Sequence, residues 1–134
     1  MPVELDLSRI VINELSDQQV IFLRERDGDR QLPITIGIFE ATSIDRYAKR
    51  IAMSRPLTHQ LIVSLAGMLG GEPLELVITE LHEGTFYAVL RLSSDDGIVE
   101  IDCRPSDGIA VAMACNPALP IYATEEVLAA VAKQ

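Results

Sequence analysis

The segment DCRPSDGIAVAMAC, from Asp102 to Cys115, constrains the fold more than any other part of the sequence. Its second half, residues 109–115, contains no strongly polar side chain, and a helix without a polar face is covered by other elements on most sides. Ser106 is a favourable N-cap residue, so the pattern predicts a buried helix that begins next to it. The rest of the chain must then supply the elements that cover this helix.

The start of this predicted helix is a candidate anion site. The first N–H groups of a helix lack intrahelical partners and carry partial positive charge, and Arg104 adds a full positive charge close to them. A phosphate or a carboxylate would be favoured there. Asp107 or Asp102 could instead occupy the position as an internal ion pair, and the sequence leaves both interpretations open.

The first half of the chain predicts three strands and a helix. Apolar residues alternate with other residues in 3–7 and resume after Ser8 and Arg9, which predicts a strand with a bulge. Residues 20–26 and 31–36 predict two further strands that complete a meander, with Pro33 at an edge or an irregularity. From Gly37 the spacing becomes helical, with an apolar stripe at Ala41, Ile44, Ala48 and Ile51.

The second half predicts a further helix, a second meander and a terminal helix. Thr58 is the expected N-cap of a helix whose apolar face consists of residues 61, 62, 65, 66 and 69, and Gly70 and Gly71 end it. Three strands follow within residues 73–104, and a short strand over 119–122 precedes a helix capped by Thr124. We therefore expect one α+β domain over residues 1–134, with a mostly antiparallel sheet of two meanders and about four helices.

Two more polar positions stand out on the predicted helices. Glu40 aligns with Ile44 and Tyr47 on the packed side of its helix, where an unpaired carboxylate is costly. It is therefore either a partner for an arginine or a site residue. His59 lies beside Arg55 and Thr58 at a helix start, which indicates a second candidate anion site or, alternatively, a half-buried histidine with a structural hydrogen bond.

Composition limits the classes of partner. The net charge of −9 argues against simple electrostatic capture of nucleic acid, although basic residues concentrate locally at Arg46, Lys49, Arg50 and Arg55. Hydrophobic residues make up 49% of the chain and the mean hydropathy is +0.24, so we expect more apolar surface than one subunit can bury, and hence a homo-oligomer. Cys103 and Cys115 lack CxxC spacing and are expected to be reduced.

We recognise no targeting or membrane-spanning signal in the sequence, and we therefore expect a cytoplasmic protein without a membrane partner. Its longest apolar runs are much shorter than the roughly 18 residues that a membrane-spanning helix needs. The first residues, MPVELDLSR, have neither the basic segment nor the apolar region of a signal peptide.

Four segments carry a resemblance to a known family: LPITIGIFEATSI, RPLTHQL, RPSDGIAVAMA and PIYATEEVL. The sequence resembles the bifunctional nuclease family of bacteria and plants over nearly its whole length. The resemblance implies an α+β, wedge-like domain that self-associates and hydrolyses RNA and DNA. It also implies a nuclease with a possible requirement for Mg²⁺ or Mn²⁺.

The resemblance further implies roles for seven polar residues, all of which the patterns above had already indicated. The implied catalytic residues are Glu40, His59 and Asp107, of which Glu40 and Asp107 would support a metal ion. The implied phosphate-binding residues are Arg55, Thr58, Arg104 and Ser106. Two alternatives remain open: a non-catalytic oligomeric module in which these residues form a structural salt-bridge network, and an anion- or nucleotide-binding module without hydrolysis.

Overall fold

A computed structural model of the protein describes residues 2–133, and these residues form one mostly antiparallel sheet with four helices. The α+β class predicted from the sequence is therefore confirmed. In chain order the elements are β1 (Val3–Val11), β2 (Gln18–Glu25), β3 (Gln31–Gly37), α1 (Ile38–Ala48), α2 (Thr58–Met68), β4 (Glu72–His82), β5 (Thr85–Ser94), β6 (Gly97–Cys103), α3 (Pro105–Ala114), β7 (Ile121–Ala123) and α4 (Glu125–Ala132).

The sheet consists of the two predicted meanders joined by a short central strand. Its strand order is β3-β2-β1-β7-β4-β5-β6. The neighbours β1, β2 and β3 pair antiparallel, as do β4, β5 and β6, whereas β7 is antiparallel to β1 and parallel to β4. The predicted bulge is present, since the register shifts between Leu7 and Arg9. Pro33 lies in the edge strand β3, where a missing N–H is tolerated.

The buried helix α3 lies at the centre of the packing, as its sequence predicts. It contacts α1, α2, β4 and β5, and its residues from Gly108 to Ala112 are all buried. A Cβ atom on Gly108 would overlap Leu76 of β4 and lie 3.1 Å from the Cys103 sulfur. Glycine at this position therefore lets the first turn of α3 lie directly against the sheet, which fixes the location of the residues before it.

The predicted helix starts are displaced by one or two residues. The N-cap of α3 is Arg104 and not Ser106, because Pro105, which has no N–H to leave unpaired, takes the first helical position. The N-cap of α2 is Leu57 and not Thr58. The Leu57 N–H donates to the side-chain oxygen of Gln60 over 2.7 Å, a contact that replaces a threonine cap. Thr124 does cap α4, accepting from the Val127 N–H.

Helices α1 and α2 differ in how much of their apolar faces is buried. In α1 the buried residues are Ala41, Ile44 and Tyr47, but Ala48 and Ile51 are exposed because the helix ends at Ala48. In α2 only His59 is buried, and the predicted apolar face is mostly exposed to solvent. No helix within residues 2–133 is long and apolar enough to cross a membrane.

Candidate functional site

Polar residues of α1 and of the first turns of α2 and α3 meet in one chain of contacts, which we call the polar relay. Its members are Tyr47 and Glu40 of α1, His59 of α2, and Arg104 and Asp107 at the start of α3. Four of these five residues were predicted as site residues from the sequence. They come together because α3 packs against both α1 and α2.

Arg104 is the most solvent-exposed member of the polar relay. Its Nε and one terminal nitrogen each lie 2.9 Å from Oδ2 of Asp107, which makes a charge-assisted pair within the first turn of α3. The other terminal nitrogen lies 3.9 Å from Oε1 of Glu40, at the outer limit of an ion pair. The Arg104 side chain is 67% exposed. Its guanidinium is thus anchored on one side and only loosely paired on the other.

His59 is the buried end of the relay, and both of its ring nitrogens face protein groups. Nε2 lies 3.4 Å from Oδ1 of Asp107, and Nδ1 lies 3.4 Å from the Tyr47 hydroxyl. The rings of Tyr47 and His59 meet edge to face at an angle of 86°. Burial raises the pKa of the Tyr47 hydroxyl, so it stays protonated at neutral pH. His59 thus lies between Tyr47 and Asp107 and restrains the position of the Asp107 carboxylate.

Glu40 occupies space that a glycine leaves open at the start of α1. A Cβ atom on Gly37, the N-cap residue, would lie 2.8 Å from Oε1 of Glu40. The Glu40 side chain is 20% exposed and points one carboxylate oxygen towards Arg104. Both roles that the sequence left open for Glu40 thus remain: it has an arginine neighbour, and the 3.9 Å spacing leaves its carboxylate only weakly neutralised.

A cleft of about 690 Å³ opens beside Arg104, between β3, the β4–β5 turn and the start of α3, and we call it the β3/α3 cleft. Arg104, Pro105 and Ser106 form one wall, and Gly37 with the neighbouring part of β3 forms another. Ser106 is 5% exposed and is one of the residues that line the cleft. The first turn of α3 therefore presents a cation, a hydroxyl and helix-start N–H groups beside the same space.

Arg55 and Thr58 do not join the relay among the described residues. Both are exposed, and Arg55 lines a separate cavity of about 480 Å³ together with Met53 and Gln60. The sequence groups Arg55 with His59, but Arg55 belongs to the irregular segment before α2 and lines a cavity that His59 does not line. The sequence missed Tyr47 as a polar partner, although its position on the stripe of Glu40 was a signal for it.

The arrangement does not match a metal site. Within residues 2–133 there is no group of three or more His, Cys, Asp or Glu side chains that could hold a metal ion. The two carboxylates expected to support one, Glu40 and Asp107, are both directed at the guanidinium of Arg104, which already supplies positive charge between them. A requirement for Mg²⁺ or Mn²⁺ stays a prediction.

The two cysteines are free thiols, as expected from their spacing. Burial, with a smaller effect from Asp102 and Asp107, raises the pKa of Cys103 to about 11. Burial also raises the pKa of Cys115. Because the thiolate is the reactive form, neither cysteine fits the role of a nucleophile at neutral pH.

Comparison with known proteins shows the family to which this chain belongs. Residues 21–134 match the model of the bifunctional nuclease domain. The chain is also similar to uncharacterized proteins of Mycobacterium tuberculosis strain CDC 1551 / Oshkosh and strain ATCC 25618 / H37Rv. Each is 41% identical over 126 residues, which cover 94% of this chain and 74% of the relative. The chain therefore belongs to the bifunctional nuclease domain family.

Proposed function

We propose that this protein is a nuclease that hydrolyses phosphodiester bonds of RNA or DNA in the β3/α3 cleft. The observation that carries the proposal is the pairing of Arg104. Its guanidinium is held by Asp107, which in turn contacts His59, but it has no other close ion pair and it lines the cleft. An arginine held in one orientation with donors to spare is suited to bind a phosphate group through two parallel hydrogen bonds.

The first turn of α3 supplies the remaining anion contacts. The Ser106 hydroxyl and the N–H groups of Ser106 and Asp107 lie next to Arg104, and the N–H groups of a first helical turn have no intrahelical acceptor. Donors fixed in place before the reaction stabilise the negative charge that grows on a phosphate as water attacks it. The proposal therefore assigns phosphate binding to Arg104 and Ser106.

Glu40 is assigned as the general base. Glu40 does not itself line the cleft, but its carboxylate lies 3.9 Å from Arg104, which does, and it has no closer ion pair. It can therefore accept a proton from a water molecule next to a phosphate bound to Arg104. The water oxygen bonds to phosphorus, the ester bond to one sugar oxygen breaks, and that oxygen leaves with a proton taken from solvent. The products are a phosphate monoester and an alcohol.

His59 and Asp107 act in this proposal as positioning residues for Arg104. His59 is 8% exposed and faces protein groups on both sides, which does not suit direct contact with a substrate. Arg55 and Thr58 lie outside the cleft and are proposed to contact the nucleic acid away from the cleaved bond. We further propose that the protein acts in the cytoplasm and self-associates.

The structural-network alternative has an observation in its favour. Every polar side chain of the relay has a partner within the protein, and His59 and Tyr47 are both buried. Such a network would fix the packing of three helices without a substrate. It predicts that relay variants lose stability and that the unmodified protein cleaves no nucleic acid.

The deciding experiment is cleavage of labelled single-stranded RNA and DNA by the purified protein and by Glu40→Gln. The matched control is Glu25→Gln, because Glu25 also pairs with an arginine but lies far from the cleft in the first meander. We expect Glu40→Gln to lower the rate by about 10²-fold or more and Glu25→Gln to leave it unchanged.

Parallel reactions with Mg²⁺, Mn²⁺ or EDTA test the metal requirement. Activity that persists in EDTA agrees with a site built around Arg104, whereas full loss in EDTA shows that a metal is needed and contradicts that part of the proposal. Absence of cleavage, or equal traces of cleavage by all three proteins, would contradict the nuclease assignment. Binding of nucleotide without cleavage would favour an anion-binding module.

A further inference from the structure

The β3/α3 cleft has an apolar part that the proposed phosphate contacts do not use. Arg104 and Ser106 line its polar side, whereas Leu81 and Phe86, which are paired across β4 and β5, line another part of the same cleft. Its volume of about 690 Å³ lies within the range of about 300–1,000 Å³ that is usual for ligand pockets. The cleft therefore has room for a further group of a substrate beside the phosphate.

Phe86 is directed to the side of the sheet on which this cleft lies. Successive residues of a strand point to opposite faces of the sheet, and Phe86 shares its face with Ala88 and Leu90, which are buried in the clusters that α3 completes. Phe86 lies beyond them, towards the β4–β5 turn, and is only partly buried. It thus packs against the core and also lines the cleft.

Phe39 is a second aromatic side chain near the cleft, and it is 83% exposed. It lies in the first turn of α1, directly before Glu40 and two residues after Gly37, which lines the cleft. Because consecutive Cα atoms are about 3.8 Å apart, the backbone of Phe39 lies within about 7.6 Å of this lining residue. A phenylalanine so exposed adds little to the hydrophobic core, and its ring is free to contact a ligand.

We propose that Phe86 and Phe39 are stacking platforms for two bases of a single-stranded nucleic acid. The inference rests on the proposed function for the place of the phosphate, which is bound by Arg104. One base lies against Phe86 inside the cleft, and a neighbouring base lies on Phe39 outside it. Stacking on aromatic rings tolerates any sequence, because every base has a π-face. The two platforms therefore select unpaired nucleotides without selecting a base sequence.

The charge of the chain favours an unpaired strand over a duplex. Proteins that bind a duplex without reading its bases gain affinity from many contacts of lysine and arginine with phosphates. A chain with a net charge of −9 gains little from that source, so its affinity has to come from contacts with bases. Bases within a duplex reach a protein pocket only after they are unpaired and unstacked, which costs free energy. An unpaired strand offers the same contacts without this cost.

Binding of a fluorescently labelled oligothymidylate, measured by anisotropy, tests the two platforms. All proteins in this assay carry Glu40→Gln, so that the proposed general base is absent and the strand stays intact. Phe39→Leu and Phe86→Leu each replace an aromatic ring by an apolar side chain. The matched control is Tyr87→Leu, which makes a similar change at the next residue of β5, on the opposite face of the sheet.

We expect the dissociation constant to rise about fivefold to 20-fold in Phe39→Leu and in Phe86→Leu, and to change by less than about twofold in Tyr87→Leu. An unchanged dissociation constant in either phenylalanine variant, with a native circular dichroism spectrum, would overturn the proposal. If Phe86→Leu does not fold, Phe39→Leu decides the question, because its side chain is exposed and its replacement leaves the core intact.

Two further ligands in the same assay test the choice of an unpaired strand. A duplex of oligothymidylate with oligoadenylate should bind at least about 30-fold more weakly than the single strand, because its bases cannot reach the platforms. Thymidine 5′-monophosphate should compete only at concentrations about 100-fold higher or more, because one nucleotide cannot occupy both platforms. A duplex or a mononucleotide that binds as tightly as the single strand would contradict the proposal.

Cleavage assays on proteins that retain Glu40 separate this inference from the proposed function. A protein that binds the single strand through both phenylalanines but cleaves no nucleic acid would contradict the proposed function and leave the stacking platforms supported. Cleavage of single strands and duplexes at equal rates, abolished by Glu40→Gln, would support the nuclease assignment and contradict the selection of unpaired strands.

Discussion

Two arginines of this protein have the same kind of partners and very different surroundings. Arg30 lies 2.7 Å from Oε2 of Glu25 and 2.9 Å from Oε2 of Glu125, and so ties the start of β3 to α4. Arg104 lies 2.9 Å from Asp107 but 3.9 Å from Glu40. Each arginine has two carboxylate neighbours, but only Arg30 is closely paired with both.

The difference shows that the tightest ion pair is not the best guide to a functional site. Arg30 uses its donors within the protein, and its guanidinium has little capacity left for a ligand. Arg104 is held from one side by Asp107, which contacts the buried His59, and its other side faces a cleft. A rigid but incompletely paired arginine is what recognition of a phosphate requires.

The largest effect that separates the two clusters is expected from replacing each arginine by lysine. Lysine keeps the charge but loses the two parallel donors, so Arg104→Lys should lower the rate of RNA or DNA cleavage by about 10²- to 10³-fold. Arg30→Lys should change the rate by less than about twofold, since surface pairs of this kind contribute little beyond local stability. Steady-state cleavage assays on both variants provide the comparison. Equal rates for the two variants would show that Arg104 has no special role.

A smaller effect is expected from the residue behind Arg104. Removing a buried partner such as His59 leaves Asp107 less restrained, so His59→Gln should lower kcat by about tenfold with little change in KM, because Arg104 is still present but less well oriented. Glu125→Gln removes a partner of Arg30 and should leave both constants unchanged. A purely structural His59 would instead lower the melting temperature of the variant without altering kcat at temperatures where it is folded.

A third comparison uses two glycines that lie beneath carboxylates. A Cβ atom on Gly37 would lie 2.8 Å from Glu40, and a Cβ atom on Gly28 would overlap the carboxylate of Glu25. Gly37 has φ −77°, which alanine adopts without strain, so Gly37→Ala should displace the Glu40 carboxylate by a few tenths of an ångström.

We expect Gly37→Ala to lower the cleavage rate by about threefold to tenfold, because general-base catalysis depends on the position of the base. Gly28→Ala should displace Glu25 without changing the rate. Kinetics and circular dichroism spectra of both variants give the test. An unchanged rate in Gly37→Ala would argue that Glu40 is a structural partner of Arg104 rather than the base.

Much of the fold could be predicted because its signals are local. The apolar run of α3 predicts a buried helix, and the break at Ser8 and Arg9 predicts the bulge that the strand register shows. The cap positions of α2 and α3 were missed, although that of α4 was correct, because they depend on competing local contacts. The Gln60 side chain satisfies the Leu57 N–H, and Pro105 takes the first position of α3.

The candidate site was predicted in part, for a related reason. The sequence identified Glu40, His59, Arg104 and Asp107, because charged residues on packed faces or helix starts need partners. It could not show that Arg55 and Arg104 line different cavities, since Arg55 belongs to the irregular segment before α2, whose path has no periodic signal in the sequence. It also predicted the apolar face of α2 but not its exposure, because periodicity shows that a face is apolar without showing what covers it.

The smallest effect is expected from the acid sensitivity of the Arg30 cluster. Hydrogen bonds from Arg30 lower the pKa values of Glu25 and Glu125 below the ordinary value of 4.5. Because these pKa values are lower in the folded than in the unfolded protein, the stabilisation is fully present above pH 4.5 and is lost as the pH falls through the folded values. Arg30 and Glu125 are 44% and 55% exposed, although Glu25 is only 17% exposed, so salt screens much of the effect and the loss should be slight.

Thermal unfolding of the unmodified protein and of Arg30→Gln between pH 6 and pH 3 measures this contribution. The melting temperature of the unmodified protein should fall more steeply below pH 4.5 than that of Arg30→Gln, and the two curves should converge at the acid end, where protonated carboxylates no longer pair with Arg30. Parallel curves would mean that the close contacts of Arg30 add nothing to stability. Arg30 would then have neither a structural nor a functional role, and incomplete pairing alone could no longer explain what distinguishes Arg104.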